Sequence, residues 1–381
     1  MADDLKPLSE PKFAETVTQL EGLLSQNRRA FLLGAGCSCC AGLPLMNTLT
    51  TDVLASLKDG SDAKRTLDAV IQAFSGSKTA NIEDHMSELV DLLSVAERRA
   101  LRGAKDAKVQ LAGVGYEAST IREALDQVKQ AVAGCIANRK GVIISFHRRF
   151  VRAVHGTLQA GKAPGGRTVD YFVLNYDTLL EDALGLERLS VADGFCGGAT
   201  GWWDECHFRQ RDVAARVFKV HGSIDWCLLE NDVLPCRVRP GVAPADPKER
   251  VLIWPAATKY REAQRDSYAK IIGFMRESLR PATGAEVVLT VCGYSFGDAH
   301  INLELDRALR ESERRLTIIV FSSEDHPTGQ PRQWLDDPTV REQVRVHANR
   351  GFFHGADMRE STVDLPWWKF ENVTRLLGGE R

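Results

Sequence analysis

Apolar residues at Phe13, Val17, Leu20 and Leu24 follow one helical face, with Pro11 suited to the first turn, and the compact run Arg29 to Leu33 then reads as a strand. From about residue 45 to 160 the pattern stays helical and shows no convincing strand; Ile82, Met86, Leu89 and Val90 form one stripe, and Ile121, Leu125 and Val128 another. Strand-like runs return at Asp170 to Leu174, Val217 to Val220, Val251 to Trp254, Val287 to Cys292 and Leu316 to Phe321, with helical segments between several of them.

That alternation predicts an α/β, Rossmann-like fold: a mostly parallel sheet with helices on both faces and an inserted helical subdomain. Residues 1–44 and 161–381 are expected to form the sheet domain, and residues 45–160 the insertion. The Pro- and Gly-containing stretches Gly161 to Gly166 and Pro235 to Pro247 read as surface connections. There is no internal repeat or low-complexity tract.

Several strand-like runs end in polar, mostly glycine-bearing segments. Gly34-Ala35-Gly36-Cys37-Ser38 follows Phe31-Leu32-Leu33 and precedes Gly42-Leu43-Pro44; Asn175-Tyr176-Asp177, Lys219-Val220-His221-Gly222-Ser223 and Gly293-Tyr294-Ser295-Phe296-Gly297-Asp298 close later runs. Parallel sheets bind ligands beyond the carboxyl ends of their strands, so these segments are expected to converge on one ligand.

Each segment has a plain structural reading beside the chemical one. Gly34 and Gly36 allow close backbone approach to a pyrophosphate, whose charge free N–H groups at the next helix start can stabilise, but a Gly-x-Gly by itself is as readily a turn. Cys39 stands where the common dinucleotide fingerprint wants a third glycine, and Gly42-Leu43-Pro44 suggests a longer loop before the helix. Asn175 both donates and accepts, suiting a ribose hydroxyl, a water or a carboxamide, while Asp177 suits the cap of a helix starting near Thr178. His221 is one of nine histidines and is singled out by its position at a strand end, where it can accept a proton near neutrality. The Gly293 segment suits the adenosine half of a ligand through backbone groups and the Ser295 hydroxyl, with Asp298 starting a helix through Leu303 and Leu305.

Composition narrows the class. The chain has 381 residues, enough for a large core, and 49 Lys plus Arg against 51 Asp plus Glu leave a net charge of -2, with no global pull toward nucleic acid or anionic membrane. His147, Arg148, Arg149 and Arg152 therefore read as a solvated helix face or a partner-protein surface. The acidic start Met1-Ala2-Asp3-Asp4 is unlike a signal peptide, and no apolar run nears the roughly 18 residues of a membrane helix, so the expected location is cytoplasmic. Nine cysteines make no pair of Cys-x-x-Cys motifs, so no zinc ribbon is expected; Cys37, Cys39 and Cys40 sit at the glycine loop, and the other six are expected to be mostly buried. The seven tryptophans, Trp202-Trp203 and Trp367-Trp368 among them, are assigned to packing or an interface.

In this order, Gly34-Ala35-Gly36-Cys37-Ser38, Asn175-Tyr176-Asp177, Lys219-Val220-His221-Gly222-Ser223 and Gly293-Tyr294-Ser295 resemble the sirtuin-like family, particularly its bacterial antiphage-defence branch. Asn81-Ile82-Glu83-Asp84, Asp193-Gly194-Phe195, and Trp254-Pro255 with Lys259-Tyr260 are similar to that branch too. The resemblance spans roughly residues 29 to 325. It implies an NAD site in which Asn175 orients the ribose or attacking water, His221 is the general base and Asp177 supports the ribose and loop. Gly34, Ala35, Gly36, Ser38, Gly42, Pro44, Gly222, Ser223, Gly293, Ser295 and Phe296 would complete the contacts, together with Asn175 and Asp177.

Two departures bear on substrate. Leu45-Met46-Asn47 replaces the Asp-Phe-Arg of protein deacylases, and the paired zinc cysteines are missing. Water is then the simplest acceptor, and the resemblance implies an NAD hydrolase that releases nicotinamide and ADP-ribose without a metal and depletes NAD in antiphage defence. The alternatives are an NAD-dependent deacylase or ADP-ribosyltransferase, and a non-enzymatic NAD or ADP-ribose sensor subunit. Restraint by homo-oligomerisation or by a HerA-like ATPase is expected, with nucleic acid reached only through such a partner and no membrane contact.

Overall fold

The computed structural model describes residues 4–24, 28–73, 80–156, 168–229, 234–238, 250–253 and 266–379. Helix α1 (Pro11–Leu24) leads into β1 (Arg29–Leu33), as the spacing predicts. The following loop holds a single turn, α2 (Gly36–Cys39), before α3 (Met46–Ser56), α4 (Asp62–Ala73), α5 (Ile82–Leu101), β2 (Val109–Leu111), β3 (Val114–Tyr116), α6 (Ala118–Ala137) and α7 (Ser145–His155). Next come β4 (Val169–Val173), α8 (Leu179–Leu186), β5 (Val191–Ala192), β6 (Phe195–Gly197), β7 (Gly201–Trp203), β8 (Ala215–Lys219), β9 (Gly222–Leu228), β10 (Cys236–Arg237) and β11 (Arg250–Ile253). The last part comprises α9 (Asp266–Leu279), β12 (Val287–Cys292), α10 (Ala299–Glu311), β13 (Leu316–Phe321), α11 (Gly329–Asp336), β14 (Val344–Ala348), β15 (Gly351–His354), β16 (Asp357–Glu360) and α12 (Phe370–Leu377).

The main sheet has nine strands in the order β16-β15-β14-β13-β12-β1-β4-β8-β5. Strands from β5 to β14 run parallel, and β15 and β16 are added antiparallel at one edge. The chain builds outward from β1 through β4 to β8, then crosses back to place β12 on the other side of β1. The β1/β12 boundary is thus the point at which the strand order reverses.

Both faces of the sheet are buried, as near-continuous apolar strands require. In β1, Phe31 and Leu33 face a core with α1, α7, α8 and α12, while Ala30 and Leu32 face the core closed by α9, α10 and α11. A third core joins α3 to α6 and includes Tyr176 and Leu179 from the segment after β4. The helical region therefore packs directly on one of the strand-end loops.

The strand assignments depart from the sequence expectations in two places. Residues 45–160 do contain strands: β2 and β3 form a hairpin through Ala112 and Gly113, whose φ values of 48° and 82° fit a two-residue turn. The run at Val251 does not enter the parallel sheet; β11 pairs antiparallel with β9 in a separate five-stranded sheet, β11-β9-β10-β7-β6, and Trp254 lies outside the described residues. In that second sheet β6, β7 and β10 are two or three residues long, too short to carry a periodicity; Phe195, Trp203 and Trp226 join the core, whereas Trp202 points outward at 62% exposure. In α10, Leu305 is buried but Leu303 is exposed. Gly161 to Gly166, and most of Pro235 to Pro247, lie outside the described residues, though Cys236 and Arg237 form β10.

Candidate active site

Register brings the polar segments to one level. Cys292, Leu33, Val173 and Lys219 are successive Cα partners across β12, β1, β4 and β8. Two residues past the end of each strand stand Tyr294, Ala35, Asn175 and His221. Asn175 and His221 thus follow the ends of adjacent parallel strands, which lie about 4.8 Å apart. The Val220 amide still donates to the Val173 carbonyl (3.0 Å), which carries the pairing past the last strand residues.

The glycines permit this convergence, but through contact with each other. A Cβ on Gly34 would stand 2.4 Å from the Gly293 carbonyl oxygen, one on Gly36 2.7 Å from the Gly293 Cα, and one on Gly293 2.4 Å from the Cys37 nitrogen. Gly293 also has φ of 64°, which favours glycine. The expectation of free N–H groups at this loop is corrected in the same place. The Gly34 amide donates to Cys292, Gly36 to Gly293, Cys37 to Gly34 and Ser38 to Ala35, so these donors are already used within the turn.

Ser38, Asn175 and Asp177 form a chain of hydrogen bonds. The Asn175 Nδ2 donates to the Ser38 Oγ at 2.8 Å, and that hydroxyl donates to the Asp177 Oδ2 at 2.8 Å. The Asp177 Oδ1 accepts from the Leu179 amide at 3.0 Å, so Asp177 caps the start of α8 while holding Ser38. Asn175 is itself buried, yet its Oδ1 has no protein partner among the described residues. A buried acceptor left open at a strand end is suited to a ligand hydroxyl or amide.

Beneath this chain, the Nζ of Lys219, 2% exposed, donates to the main-chain carbonyl of Asp177 and lies 3.3 Å from the Glu181 carboxylate. Burial pushes Glu181 up to about 7 against the opposing pull of Lys219, which leaves the carboxyl under the loop about half protonated at neutral pH.

His221 is buried, and its Nε2 lies 3.1 Å from the Asp298 Oδ2. The other Asp298 oxygen accepts from the His300 and Ile301 amides at 2.9 and 3.4 Å, capping α10. One carboxylate therefore ties the imidazole to a helix end. Sequence reasoning assigned Asp298 to capping alone; a strand-end His and a downstream Gly-x-x-x-Gly-Asp cannot reveal partnership across 77 residues without the sheet order.

Tyr176 was also missed. Its hydroxyl donates to Glu83 at the start of α5, and burial together with the adjacent carboxylate holds the phenol far above its usual pKa, so it stays a donor. Asn81, beside Glu83, closes a capping box with Asp84. The Asn81 to Asp84 segment thus fastens the helical region to the Asn175 loop.

The remaining predicted contacts divide. Gly222 has φ of 79°, and the buried Ser223 hydroxyl donates to the Tyr176 carbonyl at 3.2 Å, which commits it to holding the loop. Ser295 is exposed, and the ring of Phe296 (φ 58°) is tilted against Tyr294 and meets Trp334 edge to face. Gly42 (φ 92°) and Pro44 lie further along the first loop, where Ala41 accepts from Ile143. Asp193 pairs with Arg237 and His207 in the second sheet, away from this set of contacts.

Two residue classes behave differently from expectation. His147 is no part of a basic surface: it is buried against Phe370, and desolvation depresses its pKa to about 4, so it is neutral, whereas Arg148 and Arg152 both pair with Glu187. Of the six cysteines outside the glycine loop, only Cys227 and Cys292 are buried; Cys206 is exposed, and Cys135, Cys196 and Cys236 are partly so, Cys135 at the edge of the third core.

Residues 170–341 match the family model described as SIR2-like domain. The matched stretch carries Asn175, Asp177, His221 and Asp298 and begins after the first glycine turn. The match supports a sirtuin-like family, whose members use NAD as substrate or cofactor, and NAD-related activity in general. No curated protein matches the chain. Among the described residues, no helix is long and apolar enough to cross a membrane.

Proposed function

We propose that this chain, with its SIR2-like stretch, is an NAD hydrolase that cleaves the nicotinamide–ribose bond to give nicotinamide and ADP-ribose. The observation that carries the reading is a buried Asn175 with an open side-chain acceptor and a buried His221 with a carboxylate partner, each two residues past the last paired residues, Val173 and Lys219, of adjacent parallel strands. In this reading Asn175 holds a ribose hydroxyl or the attacking water, its amide oriented by Ser38. His221 takes the proton from that water or hydroxyl, and Asp298 keeps the imidazole aimed and stabilises the charge it acquires.

Departure of neutral nicotinamide leaves cationic character on the sugar, which calls for positioned polar groups and limited water more than for a strong nucleophile. The buried Ser38–Asn175–Asp177 chain is pre-oriented by the protein and suits that demand. Depletion of NAD during phage infection, restrained by self-association or by a HerA-like ATPase, is the cellular role proposed for this activity.

Nicotinamide release from NAD is measured on the purified chain, alone and with the product of its neighbouring gene. Asn175→Ala and His221→Ala are expected to lose it while keeping the wild-type melting profile. Undiminished turnover in both variants rejects the site, and release that strictly requires an acylated peptide or another acceptor rejects hydrolysis.

A further inference from the structure

The second sheet carries a feature that the nucleotide reading does not use. Cys227 on β9 and Cys236 on β10 are directly opposed Cα partners in an antiparallel pair, and their Sγ atoms are 3.1 Å apart. The Val238 amide donates to the Asp225 carbonyl at 2.8 Å, which marks residues 238 and 225 as a hydrogen-bonded pair, and the alternation makes 236 and 227 the next one. Such pairs have Cα atoms about 5.5 Å apart, inside the roughly 4.4–6.8 Å that a disulfide spans. With the sulfurs at 3.1 Å, about 1 Å remains to be closed to the S–S bond length of about 2.05 Å.

The two thiols differ in access. Cys236 is partly exposed, whereas Cys227 is 7% exposed directly behind it. Cys37 and Cys40 of the glycine loop, and Cys292 at the end of β12, are poor competitors: burial pushes all three up, Cys40 to about 12, which keeps them protonated; Cys39 is exposed and is controlled for in the test. Cys196 shares the row with Cys236, but Trp202 on β7 stands between them.

We propose that Cys227 and Cys236 are a redox modification site, closing reversibly into an intrachain disulfide by exchange with a small-molecule disulfide. The Cys236 thiolate attacks one sulfur of the small disulfide, forming a mixed disulfide and releasing one small thiol. The Cys227 thiolate then attacks the Cys236 Sγ, forming the protein disulfide and expelling the second small thiol. Two protein thiols are oxidised, one small disulfide is reduced to two thiols, and the protons pass from the cysteines to the leaving thiolates. Because β9 begins one residue after His221, the bond fastens β10 to the strand that leaves the proposed site. The inference rests on sheet geometry and stands apart from NAD turnover.

The test treats the reduced, full-length chain with oxidised glutathione, alkylates the remaining thiols and digests with a protease that cuts at acidic residues. Glu230 and Asp232 lie between the cysteines, so the two halves separate unless a disulfide joins them. A joined Cys227–Cys236 peptide pair, released by dithiothreitol and retained in a Cys39→Ser/Cys206→Ser variant, is the expected result. Cys227→Ser should instead trap glutathione on Cys236, with its melting midpoint confirming the fold. A glutathione adduct that persists on Cys236 in the wild type, a bond to Cys196, or full alkylation of both cysteines once Cys39 and Cys206 have exchanged would each overturn the proposal.

Discussion

The imidazole of His221 and the carboxylate of Asp298 meet at 3.1 Å in a buried position, although one ends a strand and the other starts a helix beyond a different strand. The contact exists because β8 and β12 flank β4 and β1 and send their loops over the same edge. Asp298→Asn keeps an oxygen for the α10 cap and removes the charge facing His221. Nicotinamide release should fall by about 10²-fold or more, mainly in kcat, with little change in melting midpoint. Asp298→Ala also loses the cap, at a cost of about 1 kcal/mol, so a comparison of the two separates orientation from stability.

Ser38 sits between Asn175 and Asp177, and its loss should act through Asn175. Ser38→Ala removes the acceptor for the Asn175 amide and the donor to Asp177. Turnover of NAD is expected to drop at least about tenfold, and Ser38→Thr, which keeps the hydroxyl, should restore part of it. Equal loss in both variants would mean that bulk, not the hydrogen bonds, governs the site.

The mutual contact of Gly34 and Gly293 predicts a structural effect that precedes any effect on chemistry. Gly34→Ala places a methyl 2.4 Å from a backbone oxygen that belongs to a neighbouring strand end. Destabilisation of more than about 3 kcal/mol is expected in denaturant unfolding. Gly22, in α1 with nothing within 4 Å of a built Cβ, is the control, and Gly22→Ala should be neutral or stabilising.

His347 sets part of the acid stability. It is fully buried between Phe321, Phe352 and Trp367, its ring nitrogens have no hydrogen-bond partner among the described residues, and burial depresses its pKa to about 3. Its unfolded value is about 6.5, so the unfolded chain takes up the proton that the folded chain refuses, and stability present above that pH is lost as pH falls toward 3. At pH 5 the loss is about 2 kcal/mol from this group. His347→Leu should flatten the fall in melting midpoint between pH 7 and pH 5; an unchanged slope would assign it to other groups such as His147 and His155, each depressed to about 4.

Much of this architecture was legible along the chain because it depends on local periodicity. The limits of α1, β1, β12 and β13 follow from apolar runs bounded by polar or glycine residues, and the polar strand ends stand out for the same reason. The second sheet was not legible: β6, β7 and β10 are two or three residues long, and no periodicity survives in so short a stretch. The direction of β11 was equally hidden, since pairing partner and orientation are properties of the assembled sheet.

The sequence by itself determined the alternation of strands and helices, the glycines that only a tight approach can use, and the polar side chains at strand ends, because each follows from neighbours a few residues away. Only the tertiary structure decided that the glycines of two loops fit against each other, that Asp298 serves both a helix and His221, and that Tyr176 fastens Glu83. Those relations join residues tens to hundreds of positions apart, and what brings them within a few ångströms is the order and register of the strands, which local spacing does not encode.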